Sequence, residues 1–143
     1  MVEPLRLVAR RDHEIGKSEF VERKQLTKLK LMLPGSPHGM REYITRYAEE
    51  GGIQLDCNLF IDSVPLQKAL MLDGAVCTFL PKLTCDTELD PAKFIWRPLR
   101  PALTRSLYVA SLQVRSNSPF VKALIREVIA VFREKSEKFT ADA

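Results

Sequence analysis

Two short stretches of this 143-residue chain have the residue types that hold small anions: Gly35-Ser36-Pro37-His38 and Ile61-Asp62-Ser63. Each ends an apolar run and opens a helical pattern. The first amides of a helix have no intrahelical acceptor, and the helix dipole adds positive character there. Such a helix start favours a carboxylate or a phosphate. The hydroxyls of Ser36 and Ser63 and the imidazole of His38 can add hydrogen bonds. Both stretches also serve the fold. Pro34-Gly35-Ser36-Pro37 makes a turn, and Asp62-Ser63 caps a helix. A cap and a ligand contact are compatible.

Catalytic chemistry finds no such support. The chain has no Gly-x-Ser-x-Gly, no phosphate loop and no dinucleotide fingerprint. Its two histidines, His13 and His38, lie far apart, and His13 reads as a turn residue. The three cysteines, Cys57, Cys77 and Cys85, are odd in number and form no Cys-x-x-Cys pair. No catalytic residue, metal site or cofactor is expected from these patterns. Free cysteines in apolar runs behave as small hydrophobes and fit a reducing cytoplasm. Arg41 and Arg46 fall on the polar side of their helix and read as solvated. Arg97, Arg100 and Arg105 read as surface charge that could guide an anion, and Trp96 as packing.

The elements that must position these residues alternate between strand and helix. Residues 5–9 read as a strand and 14–22 as loop, followed by one helical turn over 25–29. A short apolar strand at 30–33 stops at Pro34-Gly35. A helix is expected over 38–50, with Met40, Tyr43, Ile44 and Tyr47 on one face and Gly51-Gly52 ending it. Residues 54–61 read as a strand. Ser63 caps a helix to Leu72 whose turns are marked by Leu66, Ala69 and Leu70. Gly74 closes it, and a strand over 76–80 is apolar throughout, as one buried on both faces should be. The stretch 59–81 is therefore a βαβ unit. A short helical or irregular stretch follows Pro81, and 94–99 reads as an edge strand because it contains Pro98. Residues 105–114 read as a long strand. Ser118-Pro119 starts a helix to about Lys135, with a frayed tail after Ser136.

Strands alternating with helices imply an α/β fold with a mostly parallel, doubly wound sheet. If the strands before residues 35 and 61 are neighbours, both helix starts open on one crevice. The overall composition is that of a globular domain, 45% hydrophobic and 28% charged, with a formal charge of +4 and no concentrated basic stripe. Direct nucleic-acid binding by this chain is not expected. No apolar run approaches the ~18 residues of a membrane span, and no signal-peptide core is visible. A cytoplasmic location is expected.

Several motifs, in order along the chain, resemble the C-terminal effector-binding domain of LysR-type transcriptional regulators. They are Glu3-Pro4-Leu5 with Asp12-His13, Leu31-Met32-Leu33-Pro34 before Gly39-Met40-Arg41, and Ile61-Asp62-Ser63. Then come the helix 66–72, Gly74, Phe79-Leu80-Pro81, the run Leu103-Thr104-Arg105-Ser106-Leu107 and the helix at Ser118-Pro119. Two positions depart from the family pattern: Val76 replaces a second glycine, and Glu14 a proline. The resemblance implies a periplasmic-binding-protein-like fold of two lobes. Residues 1–103 would be the second lobe, and 104–143 the return strand and C-terminal helix of the first, most of which is absent.

The resemblance further implies a small effector, of anionic type from the helix starts, held at Gly35, Ser36, Pro37, His38, Ile61, Asp62 and Ser63. It implies DNA contact only through a winged helix-turn-helix, which this sequence lacks. The apolar stripe of the last helix must pack on something, either a second copy or the chain's own sheet. A homodimer is therefore expected. The alternative function is a dimerising interaction module that binds no ligand.

Overall fold

The computed structural model describes residues 1–112 and 118–140, with the backbone alone for 135–140. The strands are β1 (Val2–Arg10), β2 (Val21–Glu22), β3 (Leu31–Leu33), β4 (Cys57–Phe60), β5 (Thr78–Pro81), β6 (Phe94–Arg100) and β7 (Thr104–Ser106). The helices are α1 (Gly39–Glu50), α2 (Val64–Asp73), α3 (Lys82–Glu88) and α4 (Pro119–Thr140). Two 3-10 helices, Glu14–Lys17 and Arg23–Lys28, precede β3. The chain divides into two compact units, Pro4–Arg105 on one side and Met1–Glu3 with Ser106–Ala143 on the other.

In the Pro4–Arg105 unit, hydrogen-bonded strands run in the order β2, β6, β1, β5, while β3 pairs with β4. A parallel bridge between Leu31 and Cys77 joins the two groups, and the Met32 amide donates to the Cys77 carbonyl at 2.8 Å. The βαβ unit expected over 59–81 forms as β4, α2 and β5, with β3 lying between its strands. The sheet is mixed. β3 is parallel to β4 and β2 to β6, but β1 is antiparallel to both β5 and β6. The class is α/β as expected, with antiparallel pairing contributed by the opening strand.

Alternation along the strands sends side chains to opposite faces, and each face is buried. Leu5, Leu7 and Ala9 of β1 join Leu31, Leu33 and Phe79 on one face, where Met40, Ile44 and Tyr47 of α1 pack. Val8, Met32 and Leu80 turn to the other face, against Met71 of α2, Cys85 of α3 and Phe94. Burying each such aliphatic side chain is worth about 1.5–3 kcal/mol. The buried Thr78 hydroxyl is satisfied by donating to the Met32 carbonyl at 2.8 Å.

Several elements differ from their sequence reading. Residues 14–22 are not loop alone but hold a 3-10 helix and β2. β4 is shorter than expected. α2 buries Gln67 and Met71, whereas Leu66 and Leu72 are exposed. Leu and Ala ring this helix, so its sequence has no periodic face to read. β6 has β1 along one side, and β2 covers the other only at Leu99 and Arg100, one residue beyond Pro98. Proline is thereby spared a ladder partner on that side. Arg41 is not simply solvated, since its guanidinium lies 4.3 Å from the Phe60 ring centre. Arg97 donates to the Gly16 and Ser18 carbonyls, and Arg100 stacks 3.5 Å over Phe20.

In the other unit, the Met1 amino group donates to the Leu107 carbonyl at 3.1 Å, and the Leu107 amide donates back at 2.8 Å. The long strand expected over 105–114 is not formed. β7 stops at Ser106, residues 107–112 are not strand, and 113–114 lie outside the described residues. Residue 118 precedes α4 as expected, with the Lys122 amide donating to the Ser118 carbonyl at 3.0 Å. Rather than fraying after Ser136, the helix continues to Thr140. Val121, Ile125, Val128 and Phe132 form a half-buried stripe along it, while Phe120 and Leu124 are exposed.

Candidate functional site

The parallel register of β3 and β4 brings the two sequence-predicted stretches together. Leu33 pairs with Phe60, and the Ile61 amide donates to the Leu33 carbonyl at 2.8 Å. Each strand then runs straight into a helix start. The Gly35 amide donates to Asp62 Oδ1 at 2.8 Å, closing the gap between the two loops. Neighbouring strands lie about 5 Å apart, so residues 35–38 and 61–63 form adjoining parts of one surface.

The two helix starts are capped differently. His38 is the N-cap of α1, and its Nδ1 accepts from the Met40 amide at 3.1 Å. A ring nitrogen that accepts there carries no proton in the neutral tautomer, so Nε2 is the donor. Among the described residues, the Gly39 and Arg41 amides of this first turn donate to no acceptor. Ser63 caps α2, its Oγ accepting from the Leu66 amide at 3.4 Å. Pro65 has no amide, so the α2 start keeps only the Val64 N–H. The α1 start is therefore richer in donors, and each start has a carboxylate near it, Glu42 in the first turn of α1 and Asp62 ahead of α2.

The surface is open. Ser36, Pro37, His38, Asp62 and Ser63 are exposed, and Gly35 and Ile61 are half-buried. A shallow depression of about 290 Å³ along α1 is lined by Ser36, His38 and Thr45 with two cations, Arg41 and Arg46, and two carboxylates, Glu42 and Glu49. Beneath the second loop, Gln67 is buried, and its Nε2 donates to the Ile61 carbonyl at 2.6 Å. Its Oε1 has no partner. Gln67 and Arg41 were not legible as site residues. Gln67 reads as one polar position of an apolar helix, and the contact of Arg41 with Phe60 exists only through the β3–β4 register.

The remaining candidate groups do not form a reactive centre. Cys77 is buried, with its Sγ 3.6 Å from His13 Nε2. Burial, with a smaller contribution from Glu14, pushes its thiol up to about 12. Burial also raises the half-buried Cys57 thiol above its usual value. A thiol held protonated is a poor nucleophile. His13 Nδ1 accepts from the Ile15 amide at 3.3 Å, the turn role expected of it. Among the described residues, no group of three or more His, Cys, Asp or Glu could hold a metal ion. No helix among them is long and apolar enough to cross a membrane.

Comparison with known proteins agrees with this fold. The family model for the LysR substrate binding domain matches residues 1–133. The curated proteins include no significant sequence match. Among solved structures, the regulatory domain of CcmR from Synechocystis PCC6803, in complex with 2-PG, superposes with a TM-score of 0.79 at 19% identity. It covers 92% of this chain and 64% of that one. The effector binding domain of QuiR in complex with shikimate gives 0.72 at 19% identity, covering 85% and 57%. The regulatory domain of MetR, a LysR family regulator from N. meningitidis, gives 0.72 at 13% identity, covering 85% and 56%. At these identities the likeness is one of fold. The chain spans 56% to 64% of the length of these domains.

Proposed function

Because this chain belongs to the LysR substrate-binding-domain family, one of transcription regulators rather than enzymes, we propose that residues 35–38 and 61–63 form one wall of an effector cleft. Residues 1–103 make the second lobe of the effector domain, and 104–143 the return strand and last helix of the first. The observation that carries this reading is the pairing of Leu33 with Phe60, which sets two capped helix starts side by side. Ligands of open α/β sheets lie beyond the carboxyl ends of such strands.

The effector is a small anionic molecule. Its acidic group faces the Gly39 and Arg41 amides, with His38 Nε2 as a further donor. That CcmR and QuiR domains were solved with 2-PG and with shikimate supports a small-molecule ligand. Binding modulates transcription only through different affinity for two arrangements of the regulator. DNA contact belongs to a winged helix-turn-helix outside these residues, and the regulator works as a homo-oligomer, a dimer at least. The test is thermal unfolding with a panel of small carboxylates and phosphates. A ligand at a hundred times its dissociation constant stabilises by about 2.7 kcal/mol. His38→Ala should weaken binding, and a shift of the same size in His38→Ala as in the wild type rules out this wall.

The exposed Phe120 and Leu124 of α4 favour a second reading, an interaction module that dimerises without ligand. A persistent dimer that no anion stabilises would establish that reading in place of the first.

A further inference from the structure

We propose that the hollow between the end of β1, the first 3-10 helix and β6 is a separate binding site for a phosphate dianion. It measures about 240 Å³ and is lined by three cations, Arg11, Lys17 and Arg97, by one carboxylate, Asp12, and by His13, Gly16 and Ile95. It lies at the opposite end of the sheet from residues 35–38. β1 runs antiparallel to β5, and β5 is aligned with β3 at the parallel Leu31–Cys77 bridge, so β1 ends where β3 begins. The proposal is therefore independent of the effector reading.

The charge in this hollow is not balanced by the protein. Both oxygens of Asp12 are taken by Arg10, whose Nε donates at 2.6 Å and Nη2 at 3.0 Å. That pairing holds the Asp12 carboxyl below its ordinary value. Among the described residues, Arg11, Lys17 and Arg97 form no ion pair, whereas Lys68, Lys82 and Lys93 each meet a carboxylate. Of the nearby carboxylates, Glu14 lines the neighbouring hollow of about 320 Å³ rather than this one, and exposed Glu19 lines neither.

Arg97 is the fixed point. It is half-buried, and its guanidinium donates to the Ser18 carbonyl, to the Gly16 carbonyl at 3.0 Å and to the Trp96 carbonyl at 3.1 Å. Carbonyls satisfy its hydrogen bonds without supplying a countercharge, and a half-buried charge without one is costly. Those bonds use three of its five N–H groups and leave others for a ligand. A planar guanidinium held in place, with a second guanidinium and an ammonium beside it, suits a phosphate group. His13 adds no donor, because Nδ1 accepts from the Ile15 amide and Nε2 faces Cys77 Sγ. Three cations favour a dianion over a carboxylate or a phosphodiester, each of which carries one charge.

The test follows ¹H–¹⁵N signals of the full chain at constant ionic strength and about pH 8, where phosphate monoesters are dianions. Inorganic phosphate and methyl phosphate are the probes, with dimethyl phosphate as the singly charged control. The dianions should give saturable shifts of the Gly16 and Lys17 amides and of the Arg97 Nε–H. Whichever dianion saturates at the lower concentration identifies the source, free ion or monoester. Arg11→Gln and Lys17→Gln, both at exposed positions, should each weaken binding about fivefold. Lys24→Gln, also exposed but outside this hollow, should leave it unchanged. Shifts that grow without saturating, or equal weakening by Lys24→Gln and Lys17→Gln, would overturn the site. Dimethyl phosphate binding as tightly as phosphate would overturn the choice of a dianion. Phosphate at the α1 start is read separately, at the Gly39 and Arg41 amides, so neither site decides the other.

Discussion

The Tyr47 hydroxyl donates to the Pro101 carbonyl at 2.6 Å, tying the C-terminal half of α1 to the segment that follows β6. The same ring carries the Arg23 guanidinium 4.1 Å from its centre. Burial raises the Tyr47 phenol above its ordinary value, with Arg23 opposing. One side chain thus joins the helix that opens at the candidate site to the chain leaving the sheet. Tyr47→Phe keeps the ring and removes only the donor, leaving the Pro101 carbonyl without it. The expected loss is about 1 kcal/mol, read as a lower urea midpoint with an unchanged slope.

Gly51 and Gly52 both end α1, for different reasons. Gly51 has φ −92°, which any residue adopts, but a Cβ there would overlap Cδ of Arg23. Gly51→Ala should cost about 1–3 kcal/mol by forcing Arg23 off the Tyr47 ring. In an Arg23→Ala background the same change should cost little, a coupling that a double-mutant cycle measures. Gly52 has φ +62° and open space around it. Gly52→Ala should cost about 1 kcal/mol whatever stands at position 23.

Cys77 makes a pH prediction whose sign is fixed. Its thiol titrates at about 12 in the folded chain, against an ordinary value of 9.0. Below pH 9 both states hold the proton and the shift has no effect. From about 9 to 12 the unfolded chain holds fewer protons, so stability falls as pH rises, by up to about 1.4 kcal/mol per pH unit. Chemical unfolding of wild type and Cys77→Ala at stepped alkaline pH should show this component in the wild type alone. Tyrosine and lysine titrations are common to both and cancel in the difference.

Much of the site's local structure was legible because it is written in caps. Ser63 before Val64-Pro65 starts a helix by side-chain chemistry that acts within three residues, whereas His38, read as the first residue of its helix, proves to be its cap. What could not be read depends on pairing over distance. The link from Gly35 to Asp62 needs the β3–β4 register, which no local pattern specifies. Leu107-Tyr108-Val109 has strand-forming residues but lacks the pairing that would make it one, since strand preference depends on context. The buried face of α2 was missed because Gln67, a polar residue, supplies half of it.

The central claim is that two adjoining helix starts bind one small acidic molecule. It is tested most directly by following backbone amides of the ¹⁵N-labelled chain during titration with small hydroxy- and amino-carboxylic acids. The expected result is saturable binding by at least one of them. Shifts should concentrate on Gly35, Ser36 and the Gly39 to Arg41 turn, together with Ser63 and Val64. Saturable binding that left these amides still and moved those around Ile15, Val21 and Leu29, where a separate hollow of about 320 Å³ lies, would contradict it.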